Sequence, residues 1–352
     1  MSRPYITESV ATLARSSKSL RIVRLPVAGL AQKHATVEIL RAPVRTAAFS
    51  VSNSGLLVYA PGGDVPLKQL QWIDSSGKAA GNIGPPAGYY YEAELSPNDK
   101  LAVALGQNYE LTIIDSATGT RKPFSLASTP LESDIVWSPD GKWLAYTAEL
   151  SDKRLGIHII ATDGRTQSKR VYTCSTDPCA PSSWSRDGKM LALEESTTSG
   201  GDNGLTIISV DDGRKLYSMP HASQGKFSPD GRWLLFDSAE QGKSEVYVTA
   251  IPPGPETWRV TSGGGNGRSW PTSGTILYTT KEDKIASVAV SSQGNEFHVG
   301  ESEIKSAGRS FPSDVDWDLS HDGKRVLAAV PTESNSNHTL RLVQNWAAAL
   351  KR

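Results

Sequence analysis

Along most of the chain, apolar positions come in short segments of five to nine residues, such as LQWID, LTIID, GIHIIATDG, LTIISVDDG, EVYVTAIP, KIASVAV and TLRLVQN. Runs of this length, rich in β-branched and aromatic residues and bounded by Gly, Pro, Asp and Ser, predict β-strands. Alternation within them is imperfect, as expected of sheets stacked face to face with both faces partly buried. No long helical pattern interrupts them.

The runs are organised by a repeat. A large apolar residue is followed by Ser, Pro or a substitute, Asp-Gly-Lys/Arg, and then an apolar strand. Clear copies are WSPDGKWLAY at Trp137, WSRDGKMLAL at Trp184, FSPDGRWLLF at Phe227 and LSHDGKRVLA at Leu319. Weaker copies are FSVSNSGLLVY at Phe49, LSPNDKLAVAL at Leu95 and WPTSGTILY at Trp270. Anchored on Ser50, Ser96, Ser138, Ser185, Ser228, Pro271 and Ser320, they recur every 42 to 49 residues. That spacing is close to the roughly 40–45 residues of a four-stranded propeller blade. In the full pattern Pro presets φ, Asp caps the local backbone and Gly accepts positive φ, so the turn joins an inner strand to the next one out.

The fold expected is all-β: a single β-propeller of four-stranded antiparallel blades. Seven turns predict seven blades, with six as the alternative if one weak copy is not a blade. The last unit lacks a fourth strand, and RIVRLPVAG…TVEILRAP near the N-terminus holds suitable ones, so an N-terminal strand is expected to close the ring. Residues 1–19 are expected to form a disordered tail and residues 20–352 the propeller. The length of 352 residues exceeds what one ordinary core supports, but a radial array escapes that limit because each unit packs mainly on its neighbours.

Composition narrows the functions. Lys plus Arg and Asp plus Glu number 37 each, with no basic cluster interleaved with aromatics, which argues against nucleic acid as a partner. No apolar run approaches the roughly 18–20 residues of a membrane span. The first twenty residues show no apolar signal-peptide region, so the chain reads as cytoplasmic as written. Cys174 and Cys179 flank a turn with Asp177-Pro178. They are either a loop staple made in an oxidising compartment or two reduced thiols.

The repeats resemble TolB-type, WD-repeat-like propeller units of the bacterial cell envelope. They are similar in particular to the C-terminal propellers of bacterial membrane-bound Ser/Thr protein kinases of the acidobacterial kind. AAFSVSNSGLLVYAPGG, LQWIDSSGK, SPDGKWLAYTA, EVYVTAIPPGPETWRVTSGGG with Trp270, and LRLVQNWAAALKR carry the likeness in order. The resemblance implies a periplasmic or extracytoplasmic, kinase-associated sensor module. This sequence has no Gly-rich loop with a VAIK-type lysine, no HRD and no DFG, so phosphoryl transfer is not expected. The sixth turn departs from the pattern, with Pro271-Thr272-Ser273-Gly274 in place of the usual aspartate.

Candidate chemistry separates into repeated and unrepeated residues. Asp99, Asp140, Asp187, Asp230 and Asp322, with Gly141, Gly188, Gly231 and Gly323, recur because the turn recurs and are read as scaffold. Trp137, Trp184, Trp270 and Trp317 are read as packing between blades. The unrepeated linkers between blades gather around the channel mouth and hold Tyr89, Tyr90, Tyr91, Glu92, Glu132, Asp134, His221, Gln224, Arg268, Asp314 and Asp316. Such a surface can grip a peptide, protein or small ligand, and the competing reading is that these groups merely pack under loops and solvate the rim.

The six histidines (His34, His158, His221, His298, His321 and His338) do not occupy equivalent repeat positions, and neither GxSxG nor HExxH occurs. The sequence therefore predicts a non-catalytic, monomeric binding or scaffold propeller without cofactor or metal. The alternatives are a propeller hydrolase or lyase with an axial metal, and an accessory propeller of a peptidase-like system.

Overall fold

The computed structural model describes residues 49–51, 56–59, 67–74, 76–87, 92–105, 111–124, 135–176, 179–195, 204–239, 243–305, 317–332 and 341–344. The chain divides into two units, Leu67–Glu333 and a second made of Met1–Pro66 with Ser334–Arg352. The expected tail, residues 1–19, and the expected closing strands near residues 20–42 lie outside the described residues.

Leu67–Glu333 is a ring of six four-stranded antiparallel blades, not seven. Blades I to V span residues 92–124, 136–173, 179–220, 223–259 and 265–304, each with its strands in sequence order. Blade VI is composite. Its two inner strands are Trp317–Leu319 and Arg325–Pro331, and its two outer strands are Lys68–Asp74 and Ala79–Ala87. The strand containing LQWID follows the first turn in sequence, but it pairs with the strand after the last one over seven residues, from Arg325↔Asp74 to Pro331↔Lys68.

Burial on both faces explains that choice. On one face Leu70, Trp72, Leu327 and Ala329 pack on blade I, against Leu95, Ala102 and Ile114. On the other, Ile73, Val326 and Ala328 pack on Leu277 and Ile285 of blade V. Similar apolar clusters fill the interfaces I–II, II–III, III–IV and IV–V. The first weak turn copy belongs to the other unit, whose three-stranded sheet joins Phe49–Val51, Leu56–Tyr59 and Arg341–Gln344.

The repeated turn is a small hydrogen-bonded machine. In blade II, Ser138 Oγ donates to Asp140 Oδ1 at 2.6 Å and accepts from the Trp143 N–H at 2.9 Å. Asp140 Oδ1 also accepts from the Lys142 N–H, and Gly141 takes φ 70°. Burial works against ionising Asp140, but the Ser138 and Lys142 bonds outweigh it and hold the carboxyl below its ordinary value. Ser185 with Asp187, Ser228 with Asp230, and Ser320 with Asp322 repeat the pattern.

Blade I departs from it. Asn98 takes the acceptor position, between Ser96 Oγ and the Lys100 N–H. Asp99 stands where the glycine usually is, at φ 57°. Its carboxylate accepts the His321 N–H of blade VI at 2.9 Å, so a residue read as an ordinary turn cap instead ties two blades together.

Cys174 and Cys179 form a disulfide with Cα atoms 6.2 Å apart, and both are buried. It ties the end of blade II to the first strand of blade III, Cys179–Trp184. Closing so short a loop is worth about 2 kcal/mol. Changing both cysteines to Ser is expected to lower the stability to urea by that amount. An unchanged unfolding midpoint, compared with the oxidised parent, would contradict this.

Candidate functional site

From blade VI through blade I to blade V, the first strands of successive blades touch one another, which makes them the inner wall of the ring. Their residues alternate. The position just before the turn serine, or Pro271 in blade V, holds Leu95, Trp137, Trp184, Phe227, Trp270 and Leu319, and each joins an apolar cluster between blades. Trp137, Trp184 and Trp270 are therefore packed between blades, as is Trp317 one turn of the pleat earlier in blade VI.

One residue further from the turn the character changes. Glu94, Val136, Ser183, Lys226, Ser269 and Asp318 follow one another around the ring, and all but Val136 are polar. These side chains stitch blades at the inner wall. Asp318 Oδ2 accepts the Leu95 N–H at 2.7 Å, and Ser183 Oγ accepts the Phe227 N–H at 3.1 Å. Lys226 Nζ donates to the Ser182 carbonyl at 2.6 Å.

Asp318 is the electrostatic centre of this ring. Enclosure by protein pushes its carboxyl up to about 6, against the opposing pull of the Leu95 and Leu319 N–H groups. The Lys226 charge also lowers it, although blade V lies between their blades, so the two groups sense each other across the axis. Asp99 raises it further.

The inner strands are irregular on one side of the ring. Strand pairing shifts between Pro181 and Ser183 in blade III, between Ser223 and Lys226 in blade IV, and between Gly267 and Ser269 in blade V. The inner strand of blade I pairs without a shift, from Glu92↔Leu105 to Leu95↔Ala102. Bulges re-aim side chains and are frequent beside functional sites. Here three neighbouring blades carry them at the same level, away from the turns and towards the blade linkers.

Two of the sequence-derived candidates lie on this irregular side. His221 is exposed in the connection from blade III to blade IV, at φ 56°. Gln224 sits within the bulge at φ 54°, and its N–H donates to Glu194 Oε1 at 3.0 Å. Left-handed backbone at non-glycine residues is uncommon and costs energy, so two instances three residues apart mark a shaped segment. Glu92 opens the inner strand of blade I, and Arg268 lies in the inner strand of blade V. Tyr89, Tyr90, Tyr91, Glu132, Asp134, Asp314 and Asp316 lie outside the described residues.

Glu94, Ser183, Lys226 and Asp318 were not singled out from the sequence. The signal was present, because each stands two places before the turn serine. Nothing in the sequence, however, tells a polar residue of the inner wall from one on an outer edge. Among the described residues, no group of three or more His, Cys, Asp or Glu converges as a metal cage would. Nor is any helix among them long and apolar enough to cross a membrane.

Known proteins agree with this architecture. A protein of Agrobacterium tumefaciens assigned as TolB superposes with a TM-score of 0.55 at 14% identity, covering 75% of this chain and 98% of that one. The hydrazine synthase of Kuenenia stuttgartiensis gives a TM-score of 0.52 at 16% identity, covering 84% of this chain and 94% of that one. At such identities these likenesses speak to the fold alone. The family model described as TolB beta propeller domain matches residues 98–344, well over half of the chain and most of the ring. The chain belongs to the TolB β-propeller domain family.

Proposed function

We propose that this propeller is a non-catalytic binding module that grips a peptide or protein segment at the linker-side mouth of its channel, in an extracytoplasmic setting. The observation that carries the reading is the bulged inner wall of blades III to V, from which Lys226 of blade IV reaches the field of Asp318 in blade VI, with Glu94 at the equivalent position of blade I. An irregular wall presenting Ser183, Gln224 and Lys226 alongside those carboxylates offers a partner shape and charge that six identical blades would lack. The repeated carboxylates are unsuited to the task, because their turns lie on the opposite face of the ring. The disulfide and the envelope setting of TolB-type propellers support the compartment.

The test is affinity capture from envelope extracts with the intact chain as bait, beside the double variant His221→Ala, Gln224→Ala. The partner found with the intact chain is expected to be lost from the variant, with melting temperature unchanged. Retention of the same partner would move the binding surface off this mouth. A partner lost together with the melting transition would also count against the reading, since it would make these residues structural.

A further inference from the structure

The opposite face of the ring carries the first and third turns of each blade. There a cavity of about 170 Å³ lies between blades V and VI. It coincides with the turn of the ring in which proline replaces the turn serine. Elsewhere the turn serine is buried, as at Ser138, Ser185, Ser228 and Ser320. In blade V its place is taken by half-buried Pro271, and the chain reverses through exposed Ser273-Gly274, with Thr272 paired to Thr275. The shorter reversal leaves space beside the turn of blade VI, where Gly323 lacks the side chain that would approach Leu277.

The lining has two characters. Leu277, Ile285, Leu319 and Val326 supply an apolar floor. Asp74, Asp322, Lys305 and Lys324 supply a rim with two charges of each sign. Both carboxyls are held below their ordinary values, Asp74 chiefly by the Ser76 hydroxyl and Asp322 chiefly by the Ser320 hydroxyl. Among the described residues, the hydrogen bonds these two accept fall on Oδ1. That leaves Oδ2 of each for a ligand. Among the described residues, Lys305 is paired only with exposed Glu303, a contact worth little and readily exchanged.

The cavity is smaller than the roughly 300 Å³ at which pockets for drug-sized ligands begin. A nucleotide or an oligosaccharide exceeds it, whereas one amino acid suits it. We propose that this cavity binds a free zwitterionic α-amino acid with a branched or aromatic apolar side chain. The side chain lies on the Leu277–Ile285–Leu319–Val326 floor, the carboxylate meets the lysines, and the ammonium meets Asp74 and Asp322. This site is separate from the channel mouth and stands or falls independently of it.

Isothermal titration of the whole chain with L-leucine and L-phenylalanine tests the proposal, beside glycine, N-acetyl-L-leucine and L-leucinamide. These analogues remove the side chain, the ammonium and the carboxylate in turn, without touching the fold. Saturable binding of leucine or phenylalanine is expected, with each analogue weaker by about tenfold or more. Lys324→Ala is expected to weaken leucine by a similar factor while leaving the circular dichroism spectrum unchanged. Absence of binding by both amino acids overturns the proposal. So do equal affinities for leucine, its amide and its N-acetyl form, or an unaltered affinity in Lys324→Ala.

Discussion

Gly213→Ala is expected to destabilise the ring by about 4 kcal/mol, whereas Gly188→Ala should cost only about 1–2 kcal/mol, although both glycines close Asp-Gly turns. The two have nearly the same backbone, at φ 69° and 76°. An L-residue pays the left-handed penalty at either position. Their surroundings differ. A Cβ on Gly188 meets nothing within 4 Å, but one on Gly213 would stand 2.0 Å from the Val171 carbonyl oxygen.

Val171 lies on the outermost strand of blade II, Lys169–Thr173, so the obstacle is backbone and cannot rotate aside. Overpacking against rigid backbone adds to the conformational strain. The same arrangement recurs where Gly119 of blade I faces Gly84 of blade VI, with a Cβ-to-nitrogen approach of 2.2 Å. The outer turns of some blades therefore lock onto the outer strand of the preceding blade. Urea unfolding of the two variants checks this, and equal losses would show that the Gly213 contact carries no weight.

The second large effect is a dependence on pH centred on Asp318. Its carboxyl is moved from the ordinary 3.8 to about 6 in the folded chain. The ionised form is therefore harder to reach in the fold than in the unfolded chain. The penalty is absent below about pH 4, grows between roughly 4 and 6, and is complete above that range at about 3 kcal/mol. Asp318→Asn removes the charge and keeps an oxygen for the Leu95 N–H.

The variant is accordingly expected to match the parent near pH 4 and to be more stable by about 2–3 kcal/mol at pH 8. The depressed turn carboxylates, such as Asp140, Asp187 and Asp230, act in the opposite direction. Their contribution is present above their unfolded values and is lost as pH falls. It is common to both proteins and cancels in the difference. A parent-minus-variant stability that stays flat from pH 4 to 8 would contradict the assignment of Asp318. If the variant also weakens partner capture, the penalty reflects a charge retained for binding rather than for stability.

The repeat alone determined the architecture up to its closure. Short apolar runs, a turn whose Ser, Asp and Gly each have a defined hydrogen-bonding or conformational task, and a spacing near that of one blade can be satisfied only by stacked four-stranded sheets. These are local properties, settled within about ten residues of each turn, and so they can be read from the chain. The blade count is not local. LQWID has equally suitable edges to pair with at the first turn and at the last, and only burial of Leu70 and Trp72 on one face and Ile73 on the other selects Arg325–Pro331.

The candidate site divides in the same way. The sequence separated repeated from unrepeated residues and so pointed to the linker side, where His221 and Gln224 lie. It could not show that Lys226 and Asp318 sense each other, since 92 residues of chain separate them. Nor could it distinguish Gly213 from Gly188, or reveal the cavity that lies beside the sixth turn. Each of these depends on which blade stands next, and that is decided when the ring closes.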